Sequence, residues 1–177
     1  MRWDKIKKAI LISILGFVFV RCTDRYIVLD NQTISIDKVK RADDTVLVDS
    51  VGRFRFSRLS RLNSFGMGAN YTLPEKSRGK DIWVIVGGRT RTNYAQSNAV
   101  IAVVTHKGEQ QTSWMVVPLK YDYTSPDTWC SFRDSLKLGE KIDGKEYDQI
   151  SIAAHLPGST QENFDLETLH MIIKQIR

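Results

Sequence analysis

The chain has 177 residues, 42% of them hydrophobic and 26% charged, the balance of a globular domain rather than of a disordered or collagen-like chain. Its net charge of +6 is unevenly placed: residues 1–42 hold nine Lys/Arg against four Asp/Glu, and residues 43–177 hold seventeen against sixteen. That near-neutral body excludes a nucleic-acid binder, which carries its basic excess on the folded surface, and two cysteines, Cys22 and Cys130, are too few for a disulfide framework or a thiolate metal site.

The N-terminus reads as an address. Arg2, Lys5, Lys7 and Lys8 precede an uncharged apolar run over residues 9–20. A basic segment followed by a short apolar core is an export signal, and its basic end stays cytoplasmic. Cys22 follows the run, where a lipoprotein signal places its acylated cysteine, but Arg21 stands where that signal has a small residue. A cleaved, lipidated leader and a retained signal anchor therefore stand side by side. Both place the protein at a membrane, facing the periplasm or the cell exterior. Residues 1–22 form this segment, and residues 23–42 read as a linker or short hairpin around Asp30-Asn31. The domain is expected over residues 43–177.

Residues 46–48 predict a short strand. Arg53, Phe54, Arg55 and Phe56 alternate charged and aromatic, predicting a half-buried strand with the phenylalanines inward. Arg58 and Arg61 extend a basic, solvated edge. Residues 63–70 are rich in Ser, Gly and Asn and predict a loop, followed by a strand to residue 73. Residues 81–91 are apolar in succession, predicting a central strand, with Gly87-Gly88 marking a bulge or a close backbone approach. Residues 94–98 are a loop.

Residues 100–106 and 112–119 predict two strands joined by Lys107-Gly108-Glu109. Pro118 ends the second, because proline cannot donate to a ladder. A loop over residues 120–128 carries Tyr121, Asp122 and Tyr123, after which Trp129 and Phe132 re-enter the core. A further short strand is expected near residues 136–138 and another over 149–156. Residues 164–176 carry Leu166, Leu169, Ile172, Ile173 and Ile176 at spacings that also suit a helix; in so β-rich a chain they are read as the last strand. The expected core is Trp83, Trp114, Trp129 and Phe132 with Val84, Ile101, Val103, Val116 and Ile152. Strands recurring about every ten residues, with turns between, predict an all-β fold: a β-sandwich or jelly roll.

The order of Tyr71, the strand at Trp83, residues 100–105, Trp114 ahead of Val117-Pro118-Leu119, Trp129-Cys130-Ser131-Phe132, the strand at 150–155 and Phe164-Asp165-Leu166 resembles a carbohydrate-binding-module or galactose-binding-like jelly roll. It is particularly similar to exported β-sandwich domains of Bacteroidetes-type bacteria, over residue 43 to the end. Asp44-Thr45-Val46, Asp49-Ser50-Val51 and Asp134-Ser135-Leu136 resemble the O-glycosylation acceptor pattern of the same bacteria. Such relatives often open their last strand with an aromatic and two acidic residues. Here the second is Leu166, which departs from the pattern behind their calcium role.

Catalytic chemistry finds no foothold: His106, His155 and His170 fall on separate strands, and no zinc-protease, serine-elbow or phosphate-loop motif is present. The acid pairs Asp43-Asp44 and Glu146/Asp148 read as solvated turns. No enzyme activity, cofactor or metal is expected. The resemblance implies a non-catalytic glycan-binding module. Tyr94, Tyr121 and Tyr123 would supply the stacking platform, and Asp122 would fix hydroxyls. The alternative is an accessory domain of an envelope complex, binding protein through its sheet edges or its Arg53–Arg61 face.

Overall fold

The run of Ile82, Val84 and Val86 on alternate positions needs apolar cover on one side and hydrogen-bonding neighbours on both edges, and the fold supplies these. The computed structural model describes residues 26–35, 45–48, 55–119, 126–158 and 161–177. In them ten strands run in order: β1 (Tyr26–Ser35), β2 (Thr45–Val48), β3 (Arg55–Leu59), β4 (Phe65–Thr72), β5 (Ile82–Thr92), β6 (Val100–Lys107), β7 (Gln110–Pro118), β8 (Cys130–Leu138), β9 (Gln149–His155) and β10 (Phe164–Ile176). One 3-10 turn, Glu75–Ser77, precedes β5.

The strands form two antiparallel sheets. The larger has the order β2-β3-β10-β5-β8, with β1 also on β10; the smaller has the order β4-β9-β6-β7. β10 is the spine of the larger sheet. One edge pairs along β5, while the other pairs with β3 over Phe164 to Leu166 and with β1 from Thr168 onward. The sheets bury their facing sides against each other: Ile82, Val84, Val86, Leu169, Met171 and Ile173 from one, Ile101, Val103, Ile150 and Ile152 from the other. Burying each such side chain contributes roughly 1.5–3 kcal/mol. This is the β-sandwich expected from the spacing of strands and turns.

Several local expectations are corrected. β1 lies ahead of residue 43, so the sheet takes in a strand that the sequence leaves in a linker or hairpin; it runs continuously, with a bulge between Val28 and Asp30. Residues 65–70 are strand, not loop. Gly66 and Gly68 read as loop signals but are packing necessities: a Cβ on Gly66 would stand 2.7 Å from Leu59 Cδ1, and one on Gly68 would run into the Ile152 carbonyl.

The helix-like spacing in β10 also has a cause. The register shifts between Leu166 and Thr168, so Glu167 is an extra residue. Inward positions change from Phe164 and Leu166 to Leu169, Met171 and Ile173, and the step from 166 to 169 mimics a helical turn. Gly88 accommodates this bulge, since a Cβ there would run into the Thr168 carbonyl.

The core expectation holds for Phe132, Val84, Ile101, Val103 and Ile152, all buried. It fails for Trp114 and Val116, 45% and 44% exposed, while Trp83 and Trp129 are half-buried. β7 reads Ser113, Trp114, Met115, Val116, Val117: both alternating sets are apolar enough to be the inner one, and the structure turns Met115 and Val117 inward. Phe56 is buried, though outside the shared core; Arg53 and Phe54 lie outside the described residues.

Candidate functional site

Three cross-strand rows of the smaller sheet's outer face concern the site. The first is Phe65, His155, Val100 and Pro118; the second is Gly68, Ala153, Ala102 and Val116; the third is Asn70, Ser151, Val104 and Trp114. None of these residues is Asp, Glu, Lys or Arg. Phe65 and His155 stack with ring centroids 4.2 Å apart and planes at 22°. Trp114 stands edge-on to both, 6.1 Å from Phe65 at 89° and 5.8 Å from His155 at 88°.

Trp114 belongs to the third row and meets partners in the first. Its indole therefore reaches over the middle row, where Gly68, Ala153 and Ala102 leave room; Ala102, on an outward position, is only 1% exposed. The result is a right-angled aromatic corner. Phe65 is 41% and Trp114 45% exposed. His155 Nδ1 lies 3.0 Å from the Ser64 carbonyl, and a carbonyl only accepts, so Nδ1 carries a proton and neutral His155 keeps Nε2 as an acceptor. Ser151 Oγ and His106 Nε2, 3.2 Å apart, add polar groups along the same face. Such a corner offers flat apolar surface for a ring's C–H face and nearby acceptors for hydroxyls.

Of the residues expected from the sequence, Tyr94 is among those described. Tyr94 is half-buried, in the loop after β5, and its N–H donates to Thr92 Oγ1 at 3.2 Å. Tyr121, Asp122, Tyr123 and Cys22 lie outside the described residues. The flanks of the 120–125 segment are placed: Leu119 N–H donates to the Ala99 carbonyl at 3.0 Å and Asp127 N–H to that of Thr92 at 2.7 Å. Those acceptors bracket the Tyr94 loop. The segment also begins two residues after Pro118, the end of the first aromatic row.

Sequence reasoning missed Glu162, which holds this end of the sandwich. It is 1% exposed and accepts from Thr92 Oγ1 at 3.0 Å, from Asn98 N–H at 3.0 Å and from Ser97 Oγ. A buried carboxylate tolerates burial only with such donors. An acidic residue beside Asn163 in a polar turn gave no hint of this.

The larger sheet's outer face differs. Asp165 accepts both Arg58 Nε, at 2.6 Å, and Arg58 Nη2, at 2.8 Å, and takes Arg91 Nη2 at 2.6 Å. These bonds raise Arg58 further above its ordinary range. Arg91 lies 5.1 Å from the Phe56 ring and 4.9 Å from that of Trp129, Arg58 lies 5.5 Å from Phe56, and the two rings meet edge-on at 5.7 Å. Arg58, expected in a solvated edge, is instead half-buried, pairing with the buried Asp165 over Phe56.

The remaining candidates are separate. His170 Nδ1 meets Thr33 Oγ1 at 3.0 Å. Asp148 accepts from Gly108 N–H, and Glu146 pairs with Lys107 at 3.4 Å, as turn residues do. Cys130 is a free, half-buried thiol. Among the described residues, no cluster of three His, Cys, Asp or Glu could hold a metal, and no helix is long and apolar enough to cross a membrane.

No protein-family model matches the chain, and no curated protein matches it. Among solved structures it is similar to the C-terminal carbohydrate-binding module of LamC, a marine laminarinase from Zobellia galactanivorans, at 10% identity and a TM-score of 0.38, covering 80% of this chain and 98% of that one. It is also similar to a carbohydrate-binding module of Cellvibrio mixtus lichenase 5A in complex with cellotriose, at 12% identity and a TM-score of 0.39, covering 82% and 97%. The infectious bursal disease virus VP2 subviral particle matches at 7% identity and a TM-score of 0.42, covering 86% of this chain and 37% of that one.

Proposed function

We propose that this chain is a non-catalytic glycan-binding module whose sugar face is the uncharged outer face of the smaller sheet. The observation that carries this reading is the corner formed by Trp114, Phe65 and His155. Two large rings are left bare to solvent at right angles, on rows without a single Asp, Glu, Lys or Arg. A neutral pyranose would lay its apolar face on the indole and turn its hydroxyls toward His155 Nε2 and the Ser151–His106 pair. Binding of this kind is shallow and stacking-driven. Tyr94, with Tyr121, Asp122 and Tyr123, is proposed to extend the contact. The test is a glycan array of neutral oligosaccharides probed with the wild type and with Trp114→Ala. Selective binding by the wild type, lost in the variant, supports the reading; self-association through the face with no glycan response would replace sugar with a second copy of the chain.

The leader supports a tethered, extracytoplasmic setting in the cell envelope, through the basic residues 2–8 and the apolar run at 9–20. The full-length chain is expected in the membrane fraction. Cys22→Ser separates the two anchors: loss of acylation and attachment marks a lipoprotein, and unchanged attachment a signal anchor. Full-length protein in the cytosol would end this part of the proposal.

A further inference from the structure

Across the sandwich from the aromatic corner, the outer face of the larger sheet holds a trough of about 500 Å³. Its centre is Gly87 on β5. Register places His170 of β10 on one side of Gly87 and Arg133 of β8 on the other. The trough exists because the middle of that row has no side chain; a Cβ at Gly87 would already stand 3.1 Å from the Phe132 carbonyl. Arg89, one row away, closes one end, and Ile85 lies in the floor at the other.

No Asp or Glu lines this cavity. Arg89 is held in place by Glu167 at 2.9 Å and by the Trp129 ring at 5.4 Å. Arg133 is exposed, and among the described residues no carboxylate pairs with it. A guanidinium left open beside hydroxyl, amide and imidazole groups, over an aliphatic floor, matches an oxyanion attached to a larger, partly apolar ring. The volume falls in the range of about 300–1,000 Å³ usual for small-ligand sites. The trough crosses β1, β10, β5 and β8, three strand spacings or about 14 Å, so a chain can lie along it.

We infer that the trough is a second binding site, selective for an acidic saccharide residue, whose carboxylate or sulfate pairs with Arg133 while its ring rests over Gly87 and Ile85. The site shares no residue with the aromatic corner, so either can fail alone.

The test uses the full-length protein in affinity electrophoresis and calorimetry. The probes are polygalacturonate, dextran sulfate, neutral dextran, free galacturonate and inorganic sulfate. Polygalacturonate is expected to bind and neutral dextran not to bind through this site. Arg133→Ala should weaken polygalacturonate binding about tenfold or more, as loss of a charge-assisted pair does. Arg61→Ala, an exposed cation away from the trough, should leave it unchanged, as should Trp114→Ala. Free galacturonate should compete; if polygalacturonate binds more tightly than the free sugar, the polysaccharide is the source of the ligand, and if the two bind equally well, a free acidic sugar is. Three results would overturn the inference: no acidic probe binds, Arg133→Ala and Arg61→Ala weaken binding equally, or inorganic sulfate competes as well as galacturonate does.

Discussion

Both outer faces of this sandwich carry aromatic rings, yet they present them in opposite ways. On the larger sheet, Phe56 and Trp129 meet edge-on beneath the guanidinium groups of Arg91, Arg58 and Arg89, and Asp165 ties two of those arginines down. On the smaller sheet, Phe65 and Trp114 meet edge-on, and among the described residues no cation lies above them. The same pair of residue types is therefore structural on one face and open on the other. What decides the matter is the neighbouring rows: arginines and a carboxylate beside one pair, glycine and alanine beside the other. Exposed aromatic area without a capping cation marks surface available to a ligand, whereas capped rings are committed to stability.

The sharpest way to break this contrast is Asp165→Ala. The carboxylate is 4% exposed and leaves two guanidinium groups without their partner when removed, so the variant should lose about 3–5 kcal/mol by chemical denaturation. A loss below 1 kcal/mol would show that the arginine layer is only surface charge. Next comes Trp129→Ala, which removes the edge contact with Phe56 and the seat of Arg89 and Arg91; about 2–3 kcal/mol is expected for this half-buried ring.

A smaller effect concerns neither face and calibrates both. Tyr147 is 3% exposed and donates to the Gly139 carbonyl at 2.9 Å. Tyr147→Phe should cost about 1 kcal/mol. Burial raises its ionisation above the ordinary value of 10.0. The folded form thus holds its proton where the unfolded chain has lost it. The stabilisation is complete below pH 10 and falls as pH rises above it. Equilibrium unfolding between pH 9 and 11 should show that fall in the wild type and less of it in Tyr147→Phe. Trp114→Ala should cost no more, about 0.5–1 kcal/mol for the edge contacts of an exposed ring; a loss as large as that of Trp129→Ala would erase the distinction between the faces.

Much of the scaffold was legible in the residues, because strand length and turn chemistry are local. The β6–β7 hairpin follows from Val and Ile runs around Lys107-Gly108-Glu109, and the central place of β5 from its unbroken apolar run. The site was less legible. Alternation along β7 separates Trp114 and Val116 from Met115 and Val117, but both sets are apolar, and only the position of the second sheet decides which turns inward. The glycines of β4 look like loop punctuation until Leu59 and Ile152 are seen against them. The pairing of Asp165 with Arg58 and Arg91 joins residues more than seventy positions apart, and no local pattern announces it. The sequence pointed to Tyr94 and the 120–125 loop, whereas the described residues add Trp114, Phe65 and His155 on the sheet from which that loop departs.

The most direct test of the central claim is the response of individual indole N–H resonances to neutral oligosaccharides. Cellohexaose, xylohexaose and mannohexaose would be titrated into the ¹⁵N-labelled protein, with the Trp114 signal assigned by its absence from Trp114→Phe. The open-ring reading predicts that at least one of the three sugars moves the Trp114 signal saturably, while Trp83 and Trp129 on the other sheet stay in place. Saturable shifts at Trp83 or Trp129 with Trp114 unmoved, or no shift with any of the three, would contradict it.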